Sequence, residues 1–258
     1  MRIATFNVNS IRARMPRLKE WLAEADPDIV AIQETKVEDA LFPFADLEDT
    51  GYEIAISGQK RYNGVCFLSK KPLENVTMGF GDDSWEDDRR IITAVIDGVL
   101  VINTYVPNGT QVGIDKWEYK MRWLERFRKL CNELGTSQDK MIWLGDINVA
   151  PKPEDVYDSK KVLGGVGHHP DEFVRLNKIC DWGWTDVFRK LHPEERAYTF
   201  WDFRMPSVLD RDLGWRIDHI YASEPMAEQV TKCWVDRDAR AKEKPSDHAP
   251  LLAEFDWK

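Results

Sequence analysis

The chain of 258 residues has little cysteine and histidine. Its four cysteines, Cys66, Cys131, Cys180 and Cys233, stand far apart with no C-x-x-C spacing. That argues against a zinc ribbon or a disulfide frame and fits buried, inert thiols in a reducing compartment. Two of the five histidines fall in the run Gly167-His168-His169. Adjacent imidazoles point in different directions on most backbones, so this run reads as a surface loop rather than a metal site. No apolar run is long enough to cross a bilayer, and the opening stretch MRIATFNVNSIRARMPRLKEW is broken by Asn7 and Asn9, so it offers no signal-peptide core. A cytoplasmic protein without membrane contact is expected.

A surplus of positive charge is also missing. The formal net charge is −9, whereas general attraction to phosphate comes from excess Lys and Arg. Any nucleic acid must therefore meet local basic patches: Arg12, Arg14 and Arg17, the stretch 116–129, or Arg204, Arg211 and Arg216. The same clusters also fit plain solvated faces. There is no internal repeat, low-complexity tract or linker, so residues 1–258 are expected to form one domain.

What the chain does have is apolar material, 43% hydrophobic residues including 11 Trp, enough for a substantial core. Short apolar runs bounded by turn residues predict strands at 3–6, 29–32, 52–56, 65–68, 91–96, 99–106, 141–144, 215–221, 232–235 and 249–255. Asp97-Gly98 between two of them supplies the positive φ values of a tight antiparallel hairpin. A helix is predicted to open at Pro16 and close at Asp26-Pro27. A second places Trp117, Met121, Leu124, Phe127 and Cys131 on one stripe, and a third covers 170–181. Many strands with few helices predict an α+β fold: a four-layer sandwich with two mainly antiparallel β-sheets packed face to face and flanked by helices.

Several strand-like runs end in polar residues with no evident packing role: Asn7, Glu34, Tyr105, Asp146, Asn148, Asp218 and the pair Asp247-His248. Each alone fits a solvated strand end or a capped turn. If the sheets bring these ends to one rim, the result is a site of carboxylates, amides, one phenol and one imidazole, with no Ser-base or Cys-base arrangement. Hard oxygen donors suit Mg²⁺ or Mn²⁺, which takes one or two protein carboxylates and leaves its other positions to water and phosphate. The residues themselves reach as far as a metal-dependent phosphodiester hydrolase.

The stretches ATFNVNSIRAR, IQETK, NTYVPNG, WLGDINVAP, YTFWDFR, GWRIDHI and KPSDHAPL, colinear from residue 4 to residue 251, resemble exonuclease III and the class II apurinic/apyrimidinic endonucleases. The resemblance implies a divalent metal and DNA repair chemistry on double-stranded DNA with abasic sites or 3′ ends, carried out by a monomer. It further implies Glu34 as the main metal ligand, with Asn7 and Asp247 beside it. Asp146 orients or deprotonates the attacking water, with Asn148 as its positioning partner. His248, steadied by Asp218, contacts the scissile phosphate, and Tyr105 donates to it. Phe200, Trp215 and Ile217 wall a pocket that takes a base-less sugar, selected by what is missing; Asn108 and Arg204 contact DNA.

Two departures from the family pattern stand out. Asn9 lies where some relatives carry an acid, so metal ligation is not assigned to it. Gln111 and Arg204 lie where some relatives carry basic or Met wedges, which leaves the balance of endonuclease against 3′-exonuclease activity open. Inositol polyphosphate phosphatases, sphingomyelinases and deoxyribonuclease I share the sandwich and metal site; the segment from FWDFR to GWRID separates this chain from them.

Overall fold

A computed structural model describes residues 1–82, 85 and 88–257. Twelve strands form two six-stranded sheets. The first contains β1 (Arg2–Asn7), β2 (Ile29–Gln33), β3 (Glu53–Ser57), β4 (Val65–Ser69), β11 (Val230–Val235) and β12 (Leu251–Phe255) in the order β11-β12-β1-β2-β4-β3. The second contains β5 (Glu74–Met78), β6 (Ile91–Ile96), β7 (Val99–Tyr105), β8 (Met141–Asp146), β9 (Thr185–Asp186) and β10 (Asp218–Ala222) in the order β5-β6-β7-β8-β10-β9. Among the described residues only β1–β2 and β7–β8 pair in parallel, so both sheets are mainly antiparallel as predicted. The helices are α1 (Ile11–Ala25), α2 (Asp115–Leu134), α3 (Ser159–Val162), α4 (Pro170–Cys180), α5 (Val187–Leu191), α6 (Glu224–Ala227) and α7 (Arg237–Ala241).

The central strands β1, β2, β4, β6, β7, β8, β10 and β12 are largely buried on both faces, which is why they read as continuous apolar runs rather than alternating ones. Ile3, Ala31, Phe67 and Ala253 meet Ala94, Val101, Leu144 and Ile220 between the sheets. The opposite face of the first sheet, through Ala4, Val30 and Leu68, packs under Leu18, Trp21 and Leu22 of α1. That of the second, through Ile102, Trp143 and Tyr221, packs under Trp123 and Phe127 of α2 and Leu176 of α4. The result is four layers.

Strand periodicity carries a row of polar side chains into the space between the sheets at one end. Along β1 the inward positions are Ile3, Thr5 and Asn7; along β8 they are Ile142, Leu144 and Asp146; along β7 they are Val99, Val101, Asn103 and Tyr105. Beneath the rim Gln33 spans the sheets, donating to Thr5 Oγ1 (3.0 Å) and Asn103 Oδ1 (2.8 Å). The core thus passes from apolar, through a satisfied amide layer, to the ionisable groups at the rim.

The hairpin at Asp97-Gly98 has positive φ at both residues, 51° and 77°. Three expectations are corrected. Helix α1 starts at Ile11, not Pro16, which lies inside it. The first turn is tied down by Ser10 N–H to Glu34 O (2.8 Å) and Ile11 N–H to Thr35 O (3.2 Å), and burial of Ile11 and Met15 offsets the one helical bond that Pro16 cannot donate. The predicted strand 215–221 begins only at Asp218, because Trp215 bridges to Phe200 and Val156 outside the sheet. The exposed β5 and the two-residue β9 lack the apolar run that marks a buried strand and escaped prediction.

Candidate active site

The rim at the C-terminal ends of β1, β2, β7 and β8 collects the predicted polar residues. Glu34 follows β2 in the left-handed backbone region, φ 56°, a conformation costing a non-glycine residue roughly 1–2 kcal/mol and persisting where surrounding contacts impose it. Those contacts are the Ser10 bond to its carbonyl and Thr35 N–H to Gly64 O (3.1 Å). Asp146 ends β8, preceded by Gly145 at φ 146°, where a Cβ would lie 1.9 Å from Thr104 O. Only glycine lets β8 approach β7 so closely beside the Asp146 carboxylate.

Asn7 links the two sheets. Its Nδ2 donates to Glu34 Oε1 (2.8 Å) and to Asp146 Oδ2 (2.9 Å). Ligand atoms of Glu34, Asp146 and His248 lie within 4.8 Å of one another, so residues far apart in sequence share one rim. The backbone N–H of Asn148 donates to Asp146 Oδ1 (3.0 Å), and its side chain bonds Val106 O (2.9 Å) and accepts from Asn108 Nδ2 (3.0 Å). Tyr105, directly opposite Asp146 in the β7–β8 register, stacks under Arg90 (4.7 Å). Asp247 sits to one side: its Oδ1 accepts from Asn9 Nδ2 (2.9 Å) and Ser246 Oγ (3.4 Å).

The electrostatics differentiate these groups. Burial alone would raise the Glu34 carboxyl, but the Lys36 ammonium 2.7 Å away and the Asn7 amide hold it below its usual range. Burial pushes Asp146 up to about 8 despite His248 nearby, with Asp218 adding to the rise. Burial would lower His248, yet Asp218 at 2.8 Å and Asp146 at 3.8 Å raise it to about 10. An imidazolium bracketed by two carboxylates is a donor of charge, not a metal ligand. Burial, with Glu34 and Asp146 adding to it, raises the Tyr105 phenol well above its ordinary value, so it stays a donor. The available donors for a cation are carboxylate and amide oxygens around Glu34, a set that fits a hard divalent ion.

An apolar wall adjoins this rim. Phe200, Trp215 and Ile217 pack with Ala150 and Val156, and the Phe200 ring lies 4.9 Å from that of His248. Arg204 is exposed nearby and pairs with Asp202 (2.6 Å). Two candidate DNA-facing bases are misplaced by sequence reasoning. Lys120 and Arg216 are fully buried in ion pairs, with Glu172 and with Asp155 and Asp186. His168 is likewise buried, not a surface loop: its ring bonds Ala150 O (2.6 Å) and Ser159 Oγ (2.8 Å), while His169 caps α4. Missed altogether were Thr199, whose Oγ1 accepts from Ile217 and Asp218 N–H (3.2 and 3.1 Å), and Ser246, which bonds Asn7 O (2.7 Å).

Carboxylates, amides, a phenol and an imidazolium at one rim of a two-sheet sandwich define a metal-assisted phosphoester hydrolase. The endonuclease/exonuclease/phosphatase family matches residues 4–248. Exodeoxyribonuclease III of Haemophilus influenzae is 33% identical, the match covering 99% of this chain and all of that protein. An AP endonuclease structure from Archaeoglobus fulgidus superimposes with TM-score 0.95 at 44% identity over 99% of both chains. A 3′ phosphatase from Neisseria, solved with a product DNA hairpin, gives TM-score 0.95 at 39% identity over the whole of both chains. The chain belongs to this divalent-metal-dependent family, within its exonuclease III and AP endonuclease branch, and is a nuclease.

Proposed function

We propose that this DNA repair nuclease hydrolyses the phosphodiester 5′ to abasic sites in double-stranded DNA and removes nucleotides or blocking groups from 3′ ends, with Mg²⁺ or Mn²⁺ as cofactor. The observation that carries the reading is the contact between the two halves of the site. The Phe200 ring, part of the apolar wall, packs on His248, the group read as the phosphate donor. A wall of that composition suits a bare deoxyribose, the indole N–H of Trp215 being the one side-chain hydrogen-bond donor among its residues.

In this reading Asp146, desolvated and raised into the neutral range, accepts the proton of a water aimed at phosphorus, in line with the leaving 3′ oxygen. Asn148 fixes that carboxylate through its backbone N–H, its own amide being held by Val106 O and Asn108. The His248 imidazolium and the Tyr105 phenol donate to the non-bridging phosphate oxygens, and their aim is set beforehand by Asp218 and Arg90. Glu34 would hold the cation, with Asn7 orienting the carboxylate and Asp247 acting from beside Asn9. The cation supplies charge stabilisation for the phosphate and the departing oxygen. Asn108 and Arg204 would contact the duplex backbone.

One domain, acting as a monomer in the cytoplasm, completes the reading. The free cysteines, Cys66, Cys131 and Cys233 buried and Cys180 half-buried, fit a reducing compartment; among the described residues no helix is long and apolar enough to cross a membrane. The test is product analysis with Mg²⁺ on duplexes carrying an abasic analogue, a blocked 3′ end at a nick, or a blunt end, beside an inositol phosphate. Incision 5′ to the analogue and 3′ trimming, both abolished by EDTA, are expected. Turnover of the inositol phosphate alone would overturn the reading.

A further inference from the structure

Lys120 lies on the apolar stripe of α2, one turn from Trp117 and Leu124, and is wholly buried, as is Glu172 of α4. An ammonium has three N–H donors and no acceptor, and all three are used. One goes to Glu172 Oε1, one to the carbonyl of Asn148 (2.8 Å), one to the carbonyl of Asn108 (3.2 Å). Glu172 in turn accepts from Gly167 N–H through Oε1 and from His169 N–H through Oε2, each at 3.0 Å. The ion pair therefore ties together the loop after β7, the loop after β8 and the segment leading into α4.

Stability is a poor account of this arrangement, because a buried ion pair contributes little over a well-packed apolar pair. Asn148 offers a better one. Its backbone is left-handed, φ 54°, a state that survives only where neighbours over-determine it. Its N–H must meet Asp146 Oδ1 while its side chain meets Asn108. A charged donor gripping the carbonyls of both Asn148 and Asn108 fixes that geometry from below.

We propose that Lys120, held by Glu172, is a positioning residue for the hydrolysis, acting through Asn148 and Asn108 without touching substrate. The inference rests on the reading of Asn148 as partner of the water-activating Asp146. Its prediction is specific: the neutral pair Lys120→Met/Glu172→Gln, which leaves no lone buried charge, should fold yet lose about 10–100-fold in kcat, the scale of a sub-ångström misplacement. KM for the duplex should change little.

A double-mutant cycle tests it, using Mg²⁺, a duplex with one tetrahydrofuran abasic analogue, and thermal unfolding as the check on folding. In an Asn148→Ala background the same pair of changes should cost kcat clearly less than in the wild-type background, because the side-chain link to Asn108 is already lost while the Asn148 backbone N–H to Asp146, which Lys120 also steadies, remains. Equal losses in both backgrounds, or wild-type kcat in the folded pair variant, would overturn the role of Lys120. Wild-type kcat in Asn148→Ala alone would instead overturn the reading of Asn148. Should the pair variant not fold, Glu172→Gln carries the test: a fall of about 3–10-fold that shrinks in the Asn148→Ala background supports the role, and an unchanged kcat, or an equal fall in both backgrounds, sinks it.

Discussion

Asp218 Oδ2 lies 2.8 Å from His248 Nδ1, and both side chains are buried. The other oxygen of Asp218 has no protein partner, so its charge is spent on the imidazole. Thr199 Oγ1, accepting from the N–H of Asp218, fixes the residue at the start of β10.

The first prediction concerns charge on that ring. His248→Asn should lower turnover by about 10²–10⁴-fold, the range for a positioned donor. Asp218→Asn should act differently, through pH. Asp218 is the leading favourable contribution that raises His248 to about 10; without it the imidazolium is lost at lower pH. The alkaline limb of kcat/KM should move down in pH, measured at saturating Mg²⁺, and an unshifted limb would separate His248 charge from activity.

The second prediction concerns a buried cluster outside the site. Arg216 pairs with Asp155 (2.7 Å) and Asp186 (2.8 Å). Burial would raise both carboxyls, but the guanidinium outweighs it and holds both below the ordinary 3.8. A depressed folded pKa gives stability that is present above the unfolded value and lost as pH falls toward the folded one. Urea unfolding should show stability falling below about pH 4 from this cluster. Arg216→Met leaves Asp155 paired with Arg189 alone and the largely buried Asp186 with no guanidinium, at a cost of about 3–5 kcal/mol. Without the guanidinium the Asp186 carboxyl loses the leading influence that lowers it and moves up, so the loss of stability on acidification should be smaller in that variant than in the wild type.

The sequence made the rim legible because strands buried on both faces show as apolar runs, and a polar residue closing such a run has no packing reason to be there. Asn7, Glu34 and Asp146 all carried that mark, whereas Asp218 lay within the run predicted at 215–221 and opens β10. What stayed hidden was depth on the outer layers. Lys120 and Arg216 read as surface bases because a lone charge on a stripe or loop looks solvated until its partner is known, and Glu172, Asp155 and Asp186 lie 30 to 61 residues away. In α2 the clue was present: Lys120 falls at the i+3 position from Trp117, on the buried face. Thr199 and Ser246 bond backbone groups across the fold, which no local pattern announces.

The third prediction separates metal holding from proton transfer. Glu34→Gln removes the charge at the open edge of the site and should raise the Mg²⁺ concentration for half-maximal rate, with activity partly recovered at high Mg²⁺. Asp146→Ala removes the water's acceptor, so added metal should not rescue it, and the loss should be about 10²–10⁴-fold or more. A metal titration of both variants distinguishes them. Asp146→Ala within tenfold of wild type, or Glu34→Gln with an unchanged metal requirement, would reverse the assignments.

The last prediction concerns the apolar wall. Trp215 exchanges both backbone hydrogen bonds with Phe200 (2.9 Å each) and its side chain joins the cluster with Ile217. Removing the indole should therefore do two things of different size. Trp215→Ala leaves the backbone bridge intact, so folding should hold. The wall around a base-less sugar would be opened, which should reduce incision at an abasic analogue by about 10-fold or more, the worth of an aromatic contact to a flipped nucleotide. Hydrolysis at the rim itself, read out as release of a 3′-terminal phosphate that needs no sugar in that pocket, should fall far less. If both activities drop together, the wall serves as core packing, and selection of abasic sites must be sought elsewhere on the molecule.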